Sequence, residues 1–153
     1  MDMTLPNRFN VRVYGILLNQ KKEVLVMDEK RFGIKMTKFP GGGLEFGEGL
    51  SDALKREWTE ELNLDIEVLE LFYINDFFQP SAFRKTDQLI SIYYLVRPLA
   101  EIDKLTSEVP FNFSETAEEA HSVRLIPIEK LRQDDFTFPV DQAVAERLKL
   151  LFQ

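Results

Sequence analysis

The chain has 153 residues, 44% of them hydrophobic, a formal net charge of -7 and no cysteine. That length and apolar content fit one compact domain with a sizeable core and argue against overall disorder. The acidic balance argues against a broad surface for a nucleic acid polymer, which needs clustered positive charge; the missing thiols exclude disulfides and thiolate chemistry. The first residues, MDMTLPNRFN, lack an apolar leader core, and no run is long enough to cross a bilayer, so a cytoplasmic protein is expected.

In chain order, residues 9–19 read as a strand. A turn at NQKK and a second strand at EVLVMDE follow, and the two strands are expected to form a hairpin. RFGIKMTKFPGGG reads as a short strand and then a glycine loop. Residues 50–62, LSDALKREWTEEL, form the first clear helix. LDIEVLELFYINDFF and TDQLISIYYLVRPL read as strands joined by QPSAFRK. A polar, proline-broken loop leads to the last strand, HSVRLIPI, and PVDQAVAERLKLLFQ closes the chain as a helix with Pro139 in its first turn. Strands outnumber helices and two helices cover them, which predicts a mixed α/β fold in a single domain over 1–153.

The first helix carries an unusual set of charges. Leu50, Leu54 and Trp58 share one side, yet Glu61 falls only about 20° from Leu54 on the helical wheel. Glu57 and Glu61 are i,i+4 neighbours, and Glu57 and Glu60 are i,i+3 neighbours. Carboxylates crowded on an apolar face repel one another, and burial raises the cost. A divalent cation removes it, and oxygen-rich clusters suit Mg²⁺ or Mn²⁺, the usual partners of phosphate oxygens. The bland alternative is a solvated acidic helix relieved by Lys55 and Arg56. Just upstream, Gly41, Gly42 and Gly43 allow close approach of backbone to an ion or phosphate, although Pro-Gly-Gly also makes ordinary turns. Glu45 and Glu48 extend the cluster, or Glu48 pairs with Arg56.

The run from Gly42 through Glu48 to REWTEELNL resembles the signature of the Nudix (MutT-like) hydrolase family: Gly, five residues, Glu, seven residues, then Arg-Glu-apolar-x-Glu-Glu-x-Gly-apolar. Gly42, Glu48, Arg56, Glu57, Glu60 and Glu61 match it, and Trp58 and Leu64 fill its apolar positions. Asn63 stands where glycine is usual; asparagine tolerates the left-handed conformation that ends a helix. The resemblance implies an α/β/α sandwich with a mixed sheet between helices. It also implies divalent-metal-dependent hydrolysis of a pyrophosphate bond in a nucleoside diphosphate linked to another group, ADP-ribose or a nucleotide sugar among them.

On that pattern Glu57 and Glu61 are metal ligands, Glu60 is a ligand or the general base, and Arg56 holds carboxylates in place. A carbonyl of Gly42 or Gly41 adds a metal contact. Relatives often draw a further carboxylate from a later loop, for which Glu118 or Glu119 are preferred over Glu115. His121, the sole histidine, has a surface or packing role. Substrate contacts are assigned to Arg84, Phe78 and Glu48. Pro80 lies sixteen residues past Leu64, a distance resembling that in ADP-ribose pyrophosphatases. The expected partner is a small nucleoside diphosphate derivative, with no nucleic acid polymer and no membrane; relatives are often dimers, so a homodimer is a further expectation. Three other readings compete: a triphosphate pyrophosphatase that sanitises the nucleotide pool, a nucleotide-sensing module without turnover, and a structural metal-binding domain.

Overall fold

The computed structural model describes residues 5–152. Strands β1 (Arg8–Leu17), β2 (Glu23–Arg31), β3 (Ile34–Lys38) and β4 (Gly41–Gly43) precede helix α1 (Leu50–Leu62). Strands β5 (Ile66–Ile74), β6 (Asp87–Pro98) and β7 (Ala120–Pro127) follow, and helix α2 (Pro139–Phe152) ends the chain. The strands make two sheets, a four-stranded one in the order β4-β1-β6-β5 and a three-stranded one in the order β3-β2-β7. The first is mixed, because β1 runs parallel to β6 while β4 and β5 are antiparallel to their neighbours. Among the described residues no helix is long and apolar enough to cross a membrane.

Alternation along the strands divides the core into two halves. Tyr14, Ile16, Val24, Val26 and Tyr93 face one way and pack with Val140, Val144, Ala145 and Leu148 of α2. Val13, Leu17, Leu25, Met27 and Val96 face the other way and pack with Ala53, Leu54, Trp58 and Leu62 of α1. A side-chain period of two therefore feeds both halves from the same strands, and the sheets lie between the helices as an α/β/α sandwich.

Two expectations are corrected. β1 and β2 do not form a hairpin; they belong to different sheets and share only the isolated bridge Leu18–Val24. β6 pairs along the whole of one edge of β1 and β4 pairs with Arg12–Tyr14 on the other, so β2 meets the chain only past the end of β1, at the Leu18–Val24 bridge and where the Asn19 N–H donates to the Glu23 carbonyl. Asn19 turns the chain between sheets, its Oδ1 accepting from the Lys21 and Glu23 amides. The glycine segment, expected as a loop, is strand β4, paired with β1 through Arg12–Gly43, Val13–Gly42 and Tyr14–Gly41. A Cβ on Gly41 would stand 2.1 Å from the Val13 carbonyl oxygen, so the pairing at that position requires glycine.

α1 is held in register with this strand. Trp58 is fully buried; its indole Nε1 donates to the Pro40 carbonyl at 3.1 Å, and its ring fills the space over Gly15, where a Cβ would be 2.7 Å from Cζ2. The helix ends at Asn63, whose φ of 50° and ψ of 41° are left-handed and whose N–H bonds back to the last turn.

The second sheet carries a buried ion pair. Asp28 is fully buried and accepts from Arg124 Nε at 2.7 Å, from Thr37 Oγ1 at 2.7 Å and from the Phe111 amide at 3.1 Å. It thus ties β2, β3, β7 and the long 99–119 connection together. Removing one partner of such a pair strands a charge in the interior. Arg124→Ala is accordingly expected to cost about 3–5 kcal/mol of stability, measurable as a lower midpoint in urea, with no direct effect on the acidic cluster.

Candidate active site

Arg56 is the centre of a clamp. Its Nε and Nη2 reach the two Glu48 oxygens at 2.6 and 2.8 Å, Nη2 also reaches the Gly43 carbonyl at 3.1 Å, and Nη1 donates to Glu57 at 3.0 Å and Glu60 at 3.3 Å. One guanidinium thus joins the end of β4, the 44–49 loop and α1. The fork geometry suits this bidentate hold on Glu48. The hydrogen bonds from Arg56 keep the Glu48 carboxyl below its ordinary range, and Glu48 also accepts from the Glu45 amide. Both Glu48 oxygens are therefore engaged within the protein.

Glu57 is pressed against the glycine strand. A Cβ on Gly42 would sit 2.3 Å from the Glu57 carboxyl carbon, so the carboxylate occupies space that only glycine leaves open. One turn further on, Glu61 is partly buried, and its Oε2 has no hydrogen-bond partner. Burial pushes the Glu61 carboxyl up to about 7; Glu57 and Glu29 push it the same way, while Lys38 and Arg12 oppose them. Glu60 is different: its side chain is 60% exposed, and Arg56 steers it.

Glu118 and Glu119 are exposed in the connection before β7, and Glu115 pairs with Lys35 at 3.1 Å. His121 Nε2 donates to the Glu61 main-chain oxygen at 2.8 Å, tying β7 to α1. Glu29, which sequence reasoning passed over, acts on Glu61 from β2. Its signal was weak, since it is one of several charges at the end of an alternating strand.

A cavity of about 940 Å³ opens beside this cluster. Glu57 and Glu61 stand outside its lining; it meets them through Arg12, Glu29 and Lys38, which line it and act on Glu61. Glu48, Pro80 and Arg84 also line it, whereas Phe78 is exposed away from it. Asp141, in the first turn of α2, is 4% exposed, lines the cavity and accepts from Tyr93 Oη at 2.6 Å.

Burial pushes the Asp141 carboxyl up to about 7, against the hydrogen bond from Tyr93 and the pull of Lys38 and Arg12. The folded state therefore binds a proton that the unfolded chain has already released over the range from about 4 to about 7. Stability is expected to fall as pH rises through that range, by on the order of a few kcal/mol. Asp141→Asn should make the slope shallower and be the more stable protein at about pH 8, as read by thermal melts in chelator at about pH 5 and about pH 8.

The donor set fits a divalent cation. An orphaned, buried carboxylate oxygen on Glu61 stands beside Glu57, and Glu57 lies in a cradle that a Cβ at Gly42 would fill. Among the described residues no three acidic or histidine side chains close into a complete ligand set. Coordination would thus be finished by water, main-chain oxygen or phosphate, as hard cations commonly allow.

The glutamate-bearing helix α1 is braced against the glycine strand on one side of the sheets, and α2 covers the other side. The NUDIX domain model matches residues 8–148, and the chain belongs to this family of pyrophosphohydrolases. Among solved structures, a MutT protein from Methanosarcina mazei Go1 is 18% identical, with 96% of this chain and 97% of that chain covered and a TM-score of 0.66. An ADP-ribose pyrophosphatase from Streptococcus suis 89-1591 is 14% identical over 94% of this chain and 92% of its own, with a TM-score of 0.57. A UDP-X diphosphatase is 14% identical over 100% of this chain and 67% of its own, with a TM-score of 0.61. At these identities the likeness is one of fold. No curated protein matches the chain significantly.

Proposed function

We propose that this protein hydrolyses the pyrophosphate bond of a nucleoside diphosphate linked to another moiety, with ADP-ribose and nucleotide sugars as the leading substrates. The observation that carries the reading is the unpartnered Glu61 oxygen beside Glu57 and the Gly42 cradle. It is an arrangement that is costly in apo form and relieved by a cation.

In this reading Glu57 and Glu61 hold Mg²⁺ or Mn²⁺, with Glu60 as a further ligand or the general base and the Gly42 carbonyl as an additional oxygen donor. A bound divalent ion supplies charge to polarise phosphoryl oxygens and lowers the pKa of a coordinated water. Arg56 keeps Glu57 and Glu60 aimed and Glu48 out of the way. Glu29 of β2, whose charge acts on Glu61, offers a further carboxylate beside the late-loop candidates Glu118 and Glu119. The cavity then receives the remainder of the substrate; its mix of aromatic and cationic lining, with Phe83, Phe138, Arg84 and Pro80, suits a ring system and sugar attached to phosphate.

The test is a hydrolysis screen with and without Mg²⁺ or Mn²⁺, products identified by mass. Paired monophosphates from ADP-ribose or a nucleotide sugar are expected. Release of pyrophosphate from triphosphates alone would shift the assignment to the nucleotide-sanitising alternative, and analogue binding without any turnover would point to a sensing module. A cytoplasmic setting and a homodimer belong to the same proposal. For the dimer, the exposed Leu69, Leu71 and Ile74 on the edge strand β5 are the supporting feature, and light scattering checks it.

A further inference from the structure

Among the described residues the cavity wall holds four cations in no ion pair, Arg12, Arg31, Lys38 and Arg84, and of these Lys38 and Arg12 act on Glu61. Lys38 is only 8% exposed and lines the cavity. Among the described residues it forms no ion pair, and the Tyr14 ring lies 5.5 Å from Nζ. The stem is buried while the ammonium keeps access to the cavity that Lys38 lines. Arg12 is the second. Its Nε donates to Tyr14 Oη at 2.7 Å, and its Nη1 passes beside Gly43, 3.6 Å from where a Cβ would stand.

Tyr14 organises both. Its hydroxyl holds Arg12, its ring lies under Lys38, and its own position is set by stacking on Tyr93 at 5.0 Å between centroids. Each of the two cations acts on both Glu61 and Asp141 and forms an ion pair with neither. Of the other cavity cations, Arg8 is paired with Asp87 at 3.2 Å, Arg31 is exposed and packs on Phe32, and Arg84 is exposed on the connection between β5 and β6. Counter-charge alone would be better served by direct ion pairs. A pair of fixed cations held apart from nearby carboxylates and open to a cavity matches an anion that arrives with the substrate.

We propose that Lys38 and Arg12 form a phosphate grip, binding from the cavity side the diphosphate oxygens that the Glu57–Glu61 cluster does not take, with Tyr14 fixing both cations. This rests on the reading of the chain as a hydrolase of nucleoside diphosphate derivatives. It sets the direction of the substrate: phosphates lie against β1 and β3, and the attached groups extend toward Asp141 and α2.

The test is calorimetric binding of α,β-methylene ADP in the presence of Mg²⁺, so that no turnover is read. Lys38→Met and Arg12→Gln are each expected to weaken binding about tenfold or more, while affinity for adenosine stays unchanged and Lys38→Arg retains most of the wild-type value. Tyr14→Phe, which keeps the ring, should weaken binding less than Arg12→Gln. Wild-type protein that does not bind the analogue, variants that bind it as tightly as wild type, or an equal loss for adenosine would each overturn the grip. Should Lys38→Met not fold, Arg12→Gln, whose side chain is less buried, carries the test. The two proposals fail separately: variants that keep analogue affinity while wild type turns over substrate sink the grip alone. Absent turnover with the binding losses intact sinks only the hydrolase reading.

Discussion

Glu61→Gln is expected to lower turnover at saturating Mg²⁺ by at least about a hundredfold while leaving the fold intact. The substitution keeps shape and removes charge from the one carboxylate, among the described residues, with a buried oxygen lacking a partner. Without metal the variant should be no less stable than wild type at neutral pH, because burial and the charges of Glu57 and Glu29 already work against the ionised form. The diagnostic pattern is therefore lost activity together with kept or raised melting temperature. Stabilisation by added Mg²⁺, clear in wild type, should shrink in the variant, since a ligand stabilises only in proportion to its binding to the folded state. Steady-state kinetics with thermal melts at two Mg²⁺ concentrations separate these effects. Full activity would remove Glu61 from the mechanism.

Alanine at two adjacent glycines should give opposite outcomes. A Cβ on Gly41 meets the Val13 carbonyl oxygen at 2.1 Å and Tyr14 Cα at 2.7 Å, both main-chain atoms of the paired strand. That strain cannot be relieved by a rotamer change, so Gly41→Ala is expected to cost about 1–3 kcal/mol or more. A Cβ on Gly42 meets the Glu57 carboxylate, the mobile end of a side chain. Glu57 moves aside at small cost in stability, but it then no longer faces the site. Gly42→Ala should therefore melt near wild type and lose about a hundredfold in turnover, the scale of an ångström-level misplacement of a catalytic group. Urea denaturation and kinetics on the two variants check the contrast; equal melting midpoints for both would contradict the strand geometry.

Local pattern accounts for what the sequence made readable. The helix expected over 50–62 is Leu50–Leu62, because apolar spacing, a glycine lead-in and Asn63 all act within the segment. The grouping of Arg56, Glu57, Glu60 and Glu61 was legible for the same reason, since helix geometry alone makes them neighbours. The hairpin failed because pairing is decided by competition. β4, only three residues long, and β6, which lies far along the chain, pair with the two edges of β1. No local signal at Asn19–Lys22 reports that. The reading of the glycines as a loop failed for a related reason: a strand without side chains has no alternation to detect, and its presence follows from the close approach at Gly41.

The cavity wall was illegible for a third reason. Arg12, Glu29, Lys38 and Asp141 come from β1, β2, β3 and α2, and each taken singly looks like an ordinary charge on an element. Sheet register brings them together: Glu29 pairs with Met36 and Met27 with Lys38 across one hairpin, while Arg12 pairs with Gly43 across another ladder. Tertiary pairing, which spacing in sequence does not encode, thus decides which charges face Glu61.

The proposed hydrolysis requires that Glu57 and Glu61 hold a divalent cation against the glycine strand, at the edge of the cavity. Anomalous diffraction from crystals grown with Mn²⁺ and α,β-methylene ADP tests it most directly. Mn²⁺ density is expected within about 2 Å of carboxylate oxygens from both Glu57 and Glu61, with a phosphate oxygen completing the ion's coordination. Mn²⁺ bound elsewhere, with the two glutamates turned into solvent and the analogue absent from the cavity, would contradict it.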